Sequence, residues 1–116
     1  MNKSYNHRDQ EHSLEVLNVL ESNSASTQRE LSQRVDVSLG KINFLLSSLI
    51  NAGYIKAKKF KNSKNKMAYL YILTPKGLRQ KAFLTKKFLD RKTQEYKELK
   101  REIEELRNRI SFDKKG

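Results

Sequence analysis

The chain has 116 residues, 36% of them apolar, and a formal net charge of +12, which together allow one small domain, or a domain with a tail, and only a modest core. It contains no cysteine, which excludes disulfides and thiolate metal sites, and His7 and His12 lack the spacing of metal ligands. No segment approaches the roughly 20 apolar residues of a membrane span, so we expect a cytosolic protein without metal, cofactor or membrane partner.

The positive charge lies in the middle of the chain. From Val37 to Leu89, a stretch of 53 residues, there are 12 lysines or arginines and no aspartate or glutamate. The other 63 residues carry 13 basic and 13 acidic side chains, which cancel. A positive charge confined in this way indicates a polyanionic partner.

Two helices are predicted before this stretch. Residues Glu11–Glu21 place leucines and valines at helical spacing, and the helix could start as early as Asn6. After a polar break at Ser22–Ser26, a second helix opens at Thr27. Thr27 and Glu30 have the spacing of a capping box, in which each side chain satisfies a free amide at the helix start.

A third helix is predicted between Ser38, a good N-cap, and Gly53, a residue favoured just past a helix end. Asp36 in the preceding turn tolerates a left-handed backbone. The apolar stripe expected to be buried consists of Ile42, Leu45, Leu46, Leu49 and Ile50. The side chains expected to point outward are Leu39, Gly40, Lys41, Asn43, Phe44 and Ser47. This outward face is small and nearly neutral, and two short helices in this order are typical of a helix-turn-helix that enters a DNA groove.

Individual side chains of this face allow more than one interpretation. We expect Leu39 to be exposed and able to meet a thymine methyl group, whereas Phe44 fits the core or the surface equally well. Asn43 is a plausible adenine reader, although any exposed helical asparagine would look the same. Lys41 fits a phosphate contact better than a base contact, because an ammonium is a point charge with little directional geometry.

A β-hairpin is predicted next. Tyr54–Phe60 and Met67–Leu73 are rich in β-branched, aromatic and aliphatic residues, and Lys61–Lys66 (KNSKNK) between them is typical turn sequence. The hairpin is the most basic element of the chain. Its lysines could bind a polyanion, or they could be a solvated edge that only prevents aggregation.

The last predicted helix is long and begins after Thr74 and Pro75, an N-cap followed by a first-turn proline. Apolar residues then recur with the heptad period of a coiled coil. The proposed seam consists of Leu89, Tyr96, Leu99, Ile103, Leu106 and Ile110, interrupted by Lys92. Glutamates at the g positions and basic residues at the e positions favour a parallel pair, so we expect a parallel homodimer through this helix.

This order of elements resembles a winged helix-turn-helix. Two strings, TQRELSQRVDVSLGKINFLLSSLINAGYIK (Thr27–Lys56) and YLYILTPKGL (Tyr69–Leu78), resemble the MarR family of bacterial and archaeal transcription regulators. With the hairpin, the resemblance covers about residues 11 to 85. The VSLGKIN segment is most similar to the subgroup associated with exopolysaccharide gene clusters.

The resemblance implies a helix, Ser38–Ser47, that lies in the major groove and a hairpin tip, Lys61–Lys66, that reaches phosphate or the minor groove. It also implies that Thr27 and Gln28 begin a supporting helix whose amide end contacts phosphate. The expected DNA-binding residues are Thr27, Gln28, Ser38, Leu39, Gly40, Lys41, Asn43, Phe44, Ser47, Lys61, Asn62, Ser63, Lys64, Asn65 and Lys66.

The sequence therefore predicts a mainly α fold with a small β-hairpin, organised as a winged helix-turn-helix domain over residues 1–85 and a dimerisation helix over residues 86–116. The function hypothesis is a dimeric transcription regulator that binds double-stranded DNA. A protein-interaction module that binds an acidic partner and an RNA-binding protein are the alternatives. No nucleophile with a partnered base and no glycine-rich phosphate loop is found, so an enzyme is not expected. The sequence indicates no particular small-molecule effector.

Overall fold

The computed structural model describes residues 7–22 and 26–115. Its elements are α1 (His7–Ser22), α2 (Gln28–Val35), α3 (Leu39–Asn51), β1 (Ile55–Lys61), β2 (Met67–Leu73) and α4 (Pro75–Lys115). The predicted fold, mainly helical with one hairpin and a long C-terminal helix, is confirmed. The alternative start of the first helix at Asn6 lies outside the described residues.

The chain forms two compact units, one that ends at Thr85 and one that begins at Lys86. α4 contributes its first residues to the first unit and the rest to the second. No helix in the described ranges combines the length and the apolar character that a bilayer crossing requires.

The helix ends follow the predicted local chemistry. The hydroxyl of Thr27 accepts a hydrogen bond from the amide of Glu30, and the Glu30 carboxylate accepts one from the amide of Thr27, which completes the capping box. Asp36 ends α2 in the left-handed region, at φ 60° and ψ 53°. Ser38 caps α3 by accepting from the amide of Lys41, and Gly53 follows α3 with φ 81°.

The core of the first unit lies where α1, α2, α3 and the hairpin meet. The largest fully buried aliphatic side chains are those of Leu17, Leu20, Leu31, Ile42, Leu45, Leu46 and Ile55. Burying one such side chain stabilises the fold by about 1.5–3 kcal/mol. The prediction that Ile50 is buried was wrong, because its side chain is 37% exposed. Ile50 lies about 80° around the helix from Ile42, at the margin of the stripe that faces the core.

β1 and β2 pair antiparallel, from Ile55 opposite Leu73 to Lys61 opposite Met67. The first strand starts one residue later than predicted. The chain before α2 adds a short bridge to the same sheet, in which the amide of Tyr71 donates to the carbonyl of Ser26 at 2.9 Å. The sequence indicated only a polar break there, whereas Ser26 is 1% exposed and pairs with the hairpin.

The start of α4 is bonded to the segment that joins α3 to β1. The hydroxyl of Thr74 donates to the carbonyl of Gly53 at 2.7 Å and accepts from the amide of Gly77 at 3.0 Å. The amide of Thr74 donates to the carbonyl of Tyr54 at 3.0 Å. Gly77 is buried here, and a Cβ at this position would overlap the carbonyl oxygen of Tyr54 and lie 2.7 Å from Leu73 Cδ1.

We therefore expect Gly77→Ala to lower the free energy of unfolding by about 3 kcal/mol or more, since the overlapping atom is backbone and cannot turn aside. Gly40→Ala is the matched control, because a Cβ there meets only Ser38 Oγ at 3.9 Å. That control should raise the free energy of unfolding by up to about 1 kcal/mol, the ordinary preference of a helix for alanine. Chemical denaturation of both variants measures the difference, and equal stabilities would contradict the packing described for Gly77.

Candidate nucleic-acid interface

The outward face of α3 is uncharged over most of its length. Leu39 is 49% exposed, and Gly40, Asn43 and Ser47 are also exposed. We call these four residues the reading face. Phe44 is half-buried, so it divides its ring between core and surface. The reading face offers an amide, a hydroxyl and an apolar side chain, which are the groups that hydrogen-bond base edges or meet thymine methyl groups.

The start of α2 is tied to the start of α3. Gln28 Nε2 donates to the carbonyl of Leu39 at 3.4 Å, which joins the two helices that the resemblance places at the interface. Thr27 is occupied by Glu30, since its hydroxyl also donates to Glu30 Oε1 at 3.0 Å. Both Thr27 and Gln28 are half-buried. These two side chains therefore brace α3 from one end.

We call β1, β2 and the turn between them the wing. Its turn is held by Asn62, whose Oδ1 accepts hydrogen bonds from the amides of Lys64 at 2.9 Å and Lys66 at 3.1 Å. Asn65 adopts a left-handed backbone at φ 59°, and the amide of Asn62 closes the turn on the carbonyl of Lys66. The turn thus has a defined backbone conformation before any partner binds.

The base of the wing is fixed to the core. Tyr71 is buried, and this burial, with a smaller contribution from neighbouring Tyr69, raises the pKa of the Tyr71 hydroxyl above its ordinary value. Tyr69 itself is 48% exposed, and Lys59 Nζ lies 5.9 Å from the centre of its ring. The wing is therefore anchored at one end and polar and exposed at the other.

The wing lysines are the accessible positive charges of the first unit. Six lysines are exposed on the two strands and the turn: Lys56, Lys58, Lys59, Lys61, Lys64 and Lys66. Within the described ranges none of them forms an ion pair. Ammonium groups that are exposed and not neutralised are suited to contact phosphate.

Lysines of α3 and α4 in the same acid-free stretch are engaged within the fold. Lys41 Nζ is 2.7 Å from Asp9 Oδ1, and Lys81 Nζ is 2.5 Å from Glu21 Oε1. Lys76 Nζ donates to the carbonyl of Ala52 at 2.8 Å and thereby caps the end of α3. The structure thus divides the charged stretch, which the sequence presented as uniform, into an accessible wing and a set of structural lysines.

Asp9 is the residue of this region that sequence reasoning missed. It is 3% exposed and lies on the buried side of α1 with Ser13 and Leu17. A usable signal was present, because Asp9 precedes Ser13 by four residues and Leu17 by eight, which puts a carboxylate on the core face of the helix. A buried carboxylate requires a cation or several hydrogen bonds, so its partner could have been sought among the lysines.

The remaining predicted DNA-binding residues lie as follows. Ser38, Ser63 and Asn65 are exposed, like the reading face and the wing lysines, whereas Asn62 and Lys41 are half-buried. The structure joins the predicted residues of α2 and α3 through the Gln28 contact, and α3 leads into the wing through Gly53 and Tyr54.

In the second unit, α4 presents an exposed apolar seam. The exposed fractions are 62% for Leu89, 64% for Tyr96, 56% for Leu99, 41% for Ile103, 56% for Leu106 and 58% for Ile110. Lys92, which interrupts the seam, lies 3.3 Å from Glu95 Oε2 and 5.4 Å from the ring centre of Phe88. The charge of Lys92 is therefore partly compensated on its own helix.

Comparisons with known proteins agree with this geometry. Residues 9–56 match the family of winged helix-turn-helix DNA-binding domains. Among solved structures, the chain is similar to the PcaV transcriptional regulator from Streptomyces coelicolor, at 25% identity and a TM-score of 0.58, covering 68% of this chain and 57% of that one. The chain thus spans little more than half the length of that regulator. No curated protein matches the sequence significantly.

Two further solved structures share the fold. A PadR-like transcriptional regulator from Bacillus cereus is 22% identical with a TM-score of 0.62, over 70% of this chain and 84% of that one. A MarR-family transcriptional regulator from Silicibacter pomeroyi is 16% identical with a TM-score of 0.54, over 63% of this chain and 47% of that one. The first unit therefore has the fold of a winged helix-turn-helix DNA-binding domain, and MarR-family regulators are among its structural neighbours.

Proposed function

We propose that this protein is a homodimeric transcription regulator that binds specific sequences of double-stranded DNA. The observation that carries the proposal is the pairing, within one winged helix-turn-helix, of an uncharged reading face with a wing of exposed lysines. Base recognition and phosphate neutralisation require these two kinds of surface. The similar solved structures are named as transcription regulators, which supports the same function.

In the proposed complex, Ser38–Ser47 lies in the major groove. Asn43 is the residue best suited to pair with an adenine edge, and Leu39 meets a thymine methyl group. Gly40 allows close approach of the helix to the bases, and Ser47 adds a hydroxyl. Phe44 supports the reading face from the core side. Thr27 and Gln28 hold the start of the supporting helix near the backbone.

The wing supplies affinity in this proposal. Its tip, Lys61–Lys66, lies against phosphates or at the minor groove, and Ser63 and Asn65 add polar contacts there. Because Asn62 already fixes the turn, little conformational entropy is lost on binding. Lysine is a point charge with no fork geometry, so the wing contributes equally to most sequences.

The seam of α4 is the proposed dimer interface. A parallel coiled coil would cover the six exposed apolar residues and pair Glu102 with Arg107 of the partner helix. Glu95 already lies near Arg91 and Lys92 of its own helix, so its pairing with Lys100 across the interface competes with these contacts. A dimer would place two reading faces on half-sites about one turn, roughly 34 Å, apart.

A finer assignment is proposed from the sequence. The segment Val37–Asn43 (VSLGKIN) is most similar to the MarR subgroup associated with exopolysaccharide gene clusters. Genes for polysaccharide synthesis are therefore the proposed targets.

Selection of bound duplexes from random DNA tests the function directly. We expect a two-fold symmetric motif, because a symmetric dimer reads the same half-site twice. With about six phosphates neutralised, the affinity for the selected duplex should fall with salt at a log–log slope near −5. Failure to enrich any sequence, together with capture of acidic proteins, would favour a protein-interaction module, and a flat salt response would exclude the phosphate contacts.

Substitutions should separate reading from affinity. Asn43→Ala should remove the preference for one base pair of the selected motif, a loss of about 1–3 kcal/mol against the correct site only. Lys64→Ala should weaken binding to every duplex and reduce the salt slope by about 0.9. Asn51→Ala, at the exposed far end of α3, is the control and should change neither quantity. If Asn43→Ala acted uniformly on all sequences, α3 would not be the reading helix.

The dimer is tested by adding a charge to the seam. Ile103→Asp should convert the dimer to a monomer, because an aspartate at an a position would be buried against its twin. Asn108→Asp adds the same charge on the outer face of α4 and should leave the dimer intact. Sedimentation equilibrium distinguishes the two states. A wild-type chain that is monomeric at DNA-binding concentrations, or an Ile103→Asp chain that stays dimeric, would exclude the seam as the interface.

A further inference from the structure

α3 contains a single charged residue. Its sequence is LGKINFLLSSLIN, and the only cation is Lys41, in the first turn. The ammonium of Lys41 lies 2.7 Å from Asp9 Oδ1 of α1, the distance of a charge-assisted hydrogen bond. It also lies 5.4 Å from the ring centre of Phe44, where the face of the ring attracts a cation. The one charge of the helix is therefore held toward α1.

The two partners differ in burial. The side chain of Asp9 is 5% exposed, and that of Lys41 is 39% exposed. If the ammonium left for a DNA phosphate, the buried carboxylate would lose this cation in a poorly hydrated site, which is strongly unfavourable. If instead Asp9 lost its charge, Lys41 could turn into water at little cost. The attraction therefore acts as a tether on Lys41.

Lys41 is not confined by its neighbours. A cavity of about 380 Å³ opens beside the pair, between the start of α1 and the turn before α3, and is lined in part by His12, Ser38 and Lys41. Space for another side-chain conformation is present. The ion pair, rather than steric confinement, keeps the ammonium at Asp9.

We propose that Asp9 is a positioning residue that sets DNA specificity by holding Lys41 away from phosphate. This inference rests on the proposed function. A lysine on phosphate adds attraction to every sequence, whereas the reading face adds attraction only to the correct one. By retaining Lys41, Asp9 lowers affinity for non-specific DNA and leaves the reading face uncharged, so the ratio of specific to non-specific binding rises.

The test measures binding to a random-sequence DNA duplex over a range of salt concentrations. Asp9→Asn should bind this duplex more tightly than the wild type at low salt, with a log–log slope steeper by about 0.9, one additional phosphate contact. Glu21→Gln is the matched control, because it removes a carboxylate of α1 from its ion pair with Lys81 and raises the net charge equally. The control should keep the wild-type slope, and a gain equal to that of Asp9→Asn would overturn the inference.

The double variant Asp9→Asn with Lys41→Met supplies the second reading and is informative even if Asp9→Asn alone folds poorly. Because both charges are removed together, it should bind the random duplex with the wild-type slope. A slope shallower than wild type by about 0.9 would show that Lys41 contacts phosphate in the native protein and would overturn the inference. Failure of the wild type itself to bind any duplex would instead overturn the proposed function.

Discussion

The absence of carboxylates from residues 37–89 is the constraint on which the surface of the first unit depends. Lysines in that stretch can be neutralised only by groups that the rest of the chain brings to them. α1 brings two, Asp9 to Lys41 and Glu21 to Lys81, and both cations are thereby held within the fold. The wing receives no carboxylate within the described ranges, so its lysines remain available to a polyanion. Packing of one helix thus determines where the protein is positive.

The bonds at the start of α4 serve a mechanical purpose in this account. Thr74 and Lys76 bind the carbonyls that end α3, and Gly77 allows the helix to approach the backbone of Tyr54. Hydrogen bonds between backbone groups and short side chains permit little adjustment. The helix that carries the proposed dimer seam is therefore fixed, at its origin, to the end of the helix that carries the reading face.

Features governed by local backbone chemistry could be predicted from the sequence. The capping box at Thr27, the left-handed Asp36 and the cap at Ser38 depend on residues only a few positions apart, and all were confirmed. The bridge from Ser26 to Tyr71 and the pair between Asp9 and Lys41 join residues far apart in sequence. Such contacts depend on how the helices pack, which periodicity alone does not determine. For the same reason the sequence indicated one basic stretch and could not separate its structural lysines from its accessible ones.

The central claim is that the wing lysines face DNA, and lysine footprinting tests it most directly. The protein would be acetylated with and without its selected duplex, and each lysine would be read by mass spectrometry, with exposed Lys97 of α4 as the internal reference. The account predicts that DNA protects Lys61, Lys64 and Lys66 while Lys97 reacts as before. Equal reactivity of the wing lysines in the free and the bound protein would contradict it.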